Sequence, residues 1–82
     1  MTVMILRRAQ RELARLPATV YEQVKRAIRD LATNPRPPGC RKLSAREGWR
    51  IRVGEYRVIY EIDDTDQAVT VLHIGHRRDV YR

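Results

Sequence analysis

Six side chains in the second half of this 82-residue chain are of types that could take part in chemistry, and three of them, the arginines of the first stretch below, are spaced to handle a phosphate. Arg50, Arg52 and Arg57 lie in GWRIRVGEYRVIY (residues 48–60), and His76, Arg77 and Tyr81 in IGHRRDVY (residues 74–81). A guanidinium presents a planar fork of N–H donors that matches phosphate oxygens, yet it does not give up its proton at any ordinary pH. Arginines can therefore bind and neutralise a phosphate but cannot act as a free base. His76 is the member of the set that titrates near neutrality, which makes it the candidate auxiliary acid or base. Its bland alternative is a loop histidine donating to a carbonyl. The second histidine, His73, sits inside an apolar run and reads as a satisfied packing residue. Two histidines and scattered carboxylates lack the spacing of a metal site, so no metal and no cofactor are expected.

The elements that position these groups follow from the first stretch. Gly54-Glu55 fits a two-residue hairpin loop whose first central position requires φ > 0. Val53 then faces Tyr56, Arg52 faces Arg57, Ile51 faces Val58, Arg50 faces Ile59 and Trp49 faces Tyr60. Directly opposed residues share a sheet face, and neighbours along a strand alternate. One face therefore carries Trp49, Ile51, Val53, Tyr56, Val58 and Tyr60, which is a core, with Trp49 as its largest member. The other collects Arg50, Arg52 and Arg57. By itself such a cluster is most often a solvated strand face, but like charges placed opposite one another are destabilising. A ligand would justify them.

The rest of the chain supplies the support. Thr2–Leu6 reads as a first strand. Leu6, Ala9, Leu13 and Leu16 then recur at helical spacing up to Pro17. Thr19 and Glu22 have the capping-box spacing, and Val20, Val24, Ala27, Ile28 and Leu31 mark a second buried stripe that Asn34-Pro35 ends. Residues 34–42, rich in proline, form a surface loop, with a short edge strand near Lys42-Leu43. Residues 63–66 are a polar turn and residues 68–75 a last, central strand. The order predicts one α+β domain over residues 1–82: two antiparallel helices packed on one face of a mostly antiparallel sheet of four to five strands. The helices belong on the tryptophan face, leaving the arginine face open.

Seventeen basic residues against 10 acidic ones give a net charge of +7. So basic a domain suits a polyanionic partner, nucleic acid first, although an acidic protein would serve the charge equally well. Cys40 is the one cysteine, which excludes a disulfide and suits a reducing cytoplasm. No stretch approaches the roughly 20 apolar residues of a membrane span, and Arg7-Arg8 cut short the apolar Val3–Leu6, so neither membrane nor secretory leader is expected.

GWRIRVGEYRVIYEI followed by VLHIGHRRDVY, with the helical hairpin and its NPRPPG exit, resembles the RelE/ParE superfamily of bacterial toxins, most closely its RelE branch. The resemblance spans nearly the whole chain and implies a RelE-like fold. It implies a toxin of a type II toxin–antitoxin system, silenced by a cognate acidic antitoxin of the RelB kind. It further implies a metal-independent endoribonuclease, an mRNA interferase, that cuts messenger RNA in the A site of the 70S ribosome and so inhibits translation. In such enzymes the 2′-hydroxyl of the substrate attacks the adjacent phosphate. Carried across, Arg50, Arg52, Arg57 and Arg77 would hold and neutralise that phosphate, and Tyr81 would stack a base. Arg52, Arg57, Arg77, Tyr81 and His76 then form the candidate catalytic set. In this branch the pair at Arg50 and Arg52 is often lysine, and arginine there restricts both positions to binding. The ParE branch implies a different activity on the same fold, binding to DNA gyrase without cutting RNA.

Overall fold

The computed structural model describes residues 1–76. Strand β1 (Thr2–Ile5) leads directly into α1 (Arg7–Ala14) and α2 (Ala18–Asp30). After them come β2 (Arg41–Lys42), β3 (Trp49–Val53), β4 (Tyr56–Asp63) and β5 (Ala68–His76). The strands form one sheet in the order β1-β5-β4-β3-β2. Only the β1–β5 pair is parallel, so the sheet is mixed but mostly antiparallel, and β5 is interior as its two-sided apolar pattern predicts. Among the described residues, no helix is long and apolar enough to cross a membrane.

One cluster holds the layers together. Ala9 and Leu13 of α1 and Val24 and Ile28 of α2, with Leu31 just beyond, pack with Ile51, Val58, Tyr60, Val69, Val71 and Ile74 of the sheet. These strand residues all lie on one face by register. The arginine face lies outside the cluster, as the hairpin alternation requires.

Two helix details differ from the sequence reading. Thr19 does not cap α2: the cap residue is Pro17, with φ −55° and ψ 149°, and its carbonyl accepts the Tyr21 N–H at 2.8 Å. The proline ring fixes φ near the value a helix start needs, so the helix begins before the Thr19–Glu22 pair can act. Leu6 is 44% exposed instead of buried. It sits at the junction of β1 and α1 in extended geometry (φ −59°, ψ 152°), and its N–H is spent on the Val71 carbonyl at 3.0 Å.

The hairpin has the expected pairing throughout, from Trp49 opposite Tyr60 to Val53 opposite Tyr56. Gly54 has φ +60° and Glu55 is not in the left-handed region, the pattern of a Gly-X loop. The β4–β5 ladder contains one irregularity: Ile59 pairs with His73 but Tyr60 pairs with Val71, so Leu72 has no opposite residue in β4. Such a bulge bends the strand and increases its local twist.

Trp49 is not the largest core residue. It is half-buried, while Tyr60 is fully buried and is the largest side chain so placed. Both residues are on the same face, but β4 is interior to the sheet and β3 lies beside the two-residue strand β2 near the edge.

Candidate functional site

The sheet face turned away from the helices carries two transverse rows of residues. In one, Arg41 of β2 pairs with Arg50 of β3, Arg50 with Ile59 of β4, and Ile59 with His73 of β5. In the next, Arg52 pairs with Arg57 and Arg57 with Gly75. Four arginines from three strands thus gather on one floor, with Gly75 of β5 beside Arg57 at its far end. Arg41 and Arg52 are exposed, and Arg50 and Arg57 are half-buried. Directly opposed like charges are by themselves destabilising, and a polyanionic ligand would offset that cost. A cleft of about 510 Å³ opens beside Arg41, Arg50 and Arg52, walled by Pro37, Pro38 and Gly39, with Asp30 of α2 at its rim.

The proline-rich segment that walls this cleft is held at its start. Arg36 stacks over the Trp49 ring, 5.1 Å from its centroid, and makes a two-pronged contact with Asp64 at 3.3 and 3.0 Å. The paired guanidinium holds the Asp64 carboxyl below its ordinary range. Asn34 Oδ1 accepts the Arg36 N–H at 3.1 Å, and the Tyr60 hydroxyl donates to the Pro35 carbonyl at 2.7 Å. Burial, first, and then the neighbouring Cys40 thiol push the Tyr60 phenol well above its usual value. Half-buried Trp49 is therefore a platform for the loop, in keeping with its place near the sheet edge.

Of the candidate residues, the structure brings Arg50, Arg52 and Arg57 onto one face. His76 is placed otherwise. It pairs with Tyr56, whose side is that of Val58 and Tyr60, and its ring meets the Tyr56 ring edge-on with centroids 5.6 Å apart. His76 thus ends β5 on the helix side of the sheet, and by register it is His73 that shares the arginine side. Arg77 and Tyr81 lie outside the described residues. Among the described residues no group of three or more histidine, cysteine, aspartate or glutamate side chains could hold a metal ion.

Two residues here were not site candidates from the sequence, where Glu12 belongs with the arginines of the outer face of the first helix. Arg41 enters the floor through its pairing with Arg50, a position that depends on where the loop rejoins the sheet. Glu12 faces β5, where its carboxylate lies 2.6 Å from Nδ1 of His73 and accepts the Ile74 N–H at 2.9 Å. Its one sequence signal is that it is the only acidic residue of α1, RRAQRELA.

Comparison with known proteins agrees with this architecture. Residues 3–81 match the family described as the ParE toxin of the type II toxin–antitoxin system parDE. Toxin RelG of Mycobacterium tuberculosis is 35% identical over 85 residues, covering 99% of this chain and 95% of that protein. The mRNA interferase toxin RelE of Escherichia coli is 30% identical over 78 residues, covering 85% of this chain and 76% of that one. Among solved structures, the archaeal RelE–RelB complex of Pyrococcus horikoshii superposes with a TM-score of 0.84 at 26% identity, over 96% of this chain and 97% of that one.

Proposed function

The chain belongs to the ParE/RelE family of toxins of type II toxin–antitoxin systems, and on that premise we propose that it is a ribosome-dependent mRNA endoribonuclease of the RelE kind. The observation that carries this reading is the two-row arginine floor, in which Arg41 faces Arg50 and Arg52 faces Arg57 on the face away from the helices. A stretch of RNA backbone is a polyanion whose phosphates suit such a row of guanidinium groups.

The proposed chemistry follows from what arginine can and cannot do. Cleavage through the 2′-hydroxyl requires in-line geometry, loss of the hydroxyl proton, neutralisation of the charge that builds on phosphorus, and a proton for the departing 5′-oxygen. The attacking oxygen bonds to phosphorus as the bond to the 5′-oxygen breaks, leaving a 2′,3′-cyclic phosphate and a 5′-hydroxyl. Arg50, Arg52, Arg57 and Arg77 hold the phosphate and take up its developing charge. Tyr81 stacks a base and keeps the attack in line. His76, at the strand end one residue before Arg77, is the proposed proton carrier, a role that requires its ring to leave the Tyr56 contact on the helix side of the sheet. The reaction uses the nucleophile within the substrate and requires no metal.

The partners proposed are messenger RNA in the ribosomal A site and an acidic antitoxin of the RelB kind, with the cytoplasm as the compartment. The archaeal relative of this fold is a complex of RelE with RelB. An acidic segment laid on the arginine floor would neutralise it and exclude RNA together.

The test is cleavage of messenger on programmed ribosomes, with mapping of new 5′ ends, run beside a gyrase supercoiling assay. Messenger cut on the ribosome to give 5′-hydroxyl ends supports the reading. Intact messenger with inhibited supercoiling would replace it by the gyrase-binding reading of the ParE branch.

A further inference from the structure

Strand β5 loses its outer neighbour halfway along its length. β1 ends at Ile5, opposite Val71, and the last backbone bond on that side runs from the Leu6 N–H to the Val71 carbonyl at 3.0 Å. Residues 72–76 then have β4 on one side and no described strand on the other. The bulge at Leu72 falls at this same point, so the strand bends where half its support stops. What meets the outer edge is Glu12 of α1. Its Oε1 accepts the Ile74 N–H at 2.9 Å, and its Oε2 lies 2.6 Å from Nδ1 of His73. One carboxylate therefore takes the place of the missing strand at Ile74, accepting its backbone N–H, and lies against the adjacent His73 ring at the same time. Both partners are largely sheltered, with side chains 23% and 14% exposed. Arg8, one turn earlier in α1, approaches Oε2 to 3.6 Å from the solvent side.

We propose that Glu12 and His73 are positioning residues for the phosphate-binding face, an inference that rests on the ribonuclease reading and deepens it. The segment they fix carries Gly75, opposite Arg57, and His76, from which the chain continues to Arg77. The arginines of β3 and β4 are set by the hairpin and do not depend on this anchor. The pair thus sets the geometry between two halves of the site: a floor that binds RNA and a strand end that leads to the reacting groups. A displacement of about 1 Å at a reacting centre can cost roughly 10²-fold in rate while leaving most of the binding surface intact. Loss of the anchor should therefore separate the chemical step from binding.

The variants are Glu12→Ala, Glu12→Gln and His73→Asn. For each, three quantities are measured: the single-turnover cleavage rate at saturating toxin on programmed ribosomes, the affinity for those ribosomes, and hydrogen exchange at the Ile74 amide. Glu12→Ala should cleave roughly 10- to 100-fold more slowly, with affinity near that of the unaltered protein and Ile74 exchanging roughly tenfold faster. Glu12→Gln keeps a carbonyl for the Ile74 N–H and should recover most of the rate. His73→Asn should fall between the two. The proposal is overturned if Glu12→Ala cleaves at the unaltered rate, or if Glu12→Gln is no better than Glu12→Ala. It is overturned as well if affinity and rate fall together while exchange quickens throughout the sheet, because the pair would then only stabilise the fold. Should the unaltered protein not cut messenger at all, the ribonuclease reading fails and the catalytic role with it. Faster exchange confined to Ile74 and its neighbours would still sustain the anchoring of β5.

Discussion

Arg52 stands directly opposite Arg57 across the β3–β4 ladder, on the sheet face away from both helices. Opposed like charges cost stability, and an exposed arginine has little packing to lose. Arg52→Ala should therefore leave the melting temperature unchanged or raise it slightly, while weakening binding to messenger-programmed ribosomes. The slope of log affinity against log salt should become shallower by about 1, the share of one phosphate contact. Calorimetry together with a salt titration checks both halves. A clear loss of stability would mean that Arg52 is packed and not merely gathered.

Depth in the sheet decides the cost of removing an aromatic residue. Tyr60 is fully buried in interior strand β4, whereas Trp49 is half-buried on β3 and carries Arg36 on its ring. Tyr60→Ala should cost about 3–5 kcal/mol, enough to unfold a domain of this size. Trp49→Ala should cost less, about 2 kcal/mol, much of it through release of the Arg36 loop. Denaturant unfolding of the two variants checks the order.

The Tyr60 phenol also predicts an alkaline limit. Its acidity is pushed well below normal by burial, and its hydroxyl donates to the Pro35 carbonyl. In the unfolded chain a tyrosine ionises near pH 10 (approximately). Below that pH both states hold the proton and the stabilisation is complete. As pH rises past about 10 the unfolded state loses its proton first, so stability falls until the folded phenol also ionises. Tyr60→Phe should lose about 1 kcal/mol at neutral pH, the worth of the hydrogen bond, and should show a shallower alkaline decline. Melting temperatures from about pH 8 to about pH 11 test the difference in slope.

Arg77 and Tyr81 should affect the chemical step more than binding. Arg77→Ala is expected to slow single-turnover cleavage by roughly 10²- to 10³-fold, as with the loss of one transition-state donor. Tyr81→Phe keeps the ring and removes the hydroxyl, so it should cleave normally if the residue stacks, whereas Tyr81→Ala should not. Equal defects in both tyrosine variants would assign the hydroxyl a part in proton transfer.

How far the sequence could be read depended on the range of each signal. The β3–β4 pairing was legible because Gly54-Glu55 fixes the loop, and every opposed pair follows from it. Alternation put Trp49 and Tyr60 on one face but could not rank their depth, since that depends on strand order across the whole sheet. The Thr19–Glu22 spacing was a true local signal overridden by a stronger one, Pro17. The side of His76 was not legible, because the register of β5 against β4 is set by pairings far apart in sequence and by the bulge between them. Glu12 meets Ile74 across 62 residues with no local pattern to announce it. The arginine face was legible as a cluster, while Arg41 joined it only through a long-range pairing.

The unpaired Leu72 has a consequence for how the chain can change length. In a regular ladder one added residue exchanges the two sides of everything beyond it. Here Val71 and Ile74 are an odd number of residues apart, yet both are buried in the same core. The surplus residue is parity-neutral. A chain without it could keep Tyr60 opposite Val71 and Ile59 opposite His73, and so keep Gly75 beside Arg57. Elsewhere along β5, where pairing is regular, losing one residue would exchange the sides of everything beyond it, turning Gly75 toward the helices and Ile74 away from the core. Length and handedness of the face are uncoupled at this single point, so β5 can be shortened there, by mutation or by design, without inverting the surface that carries the charge.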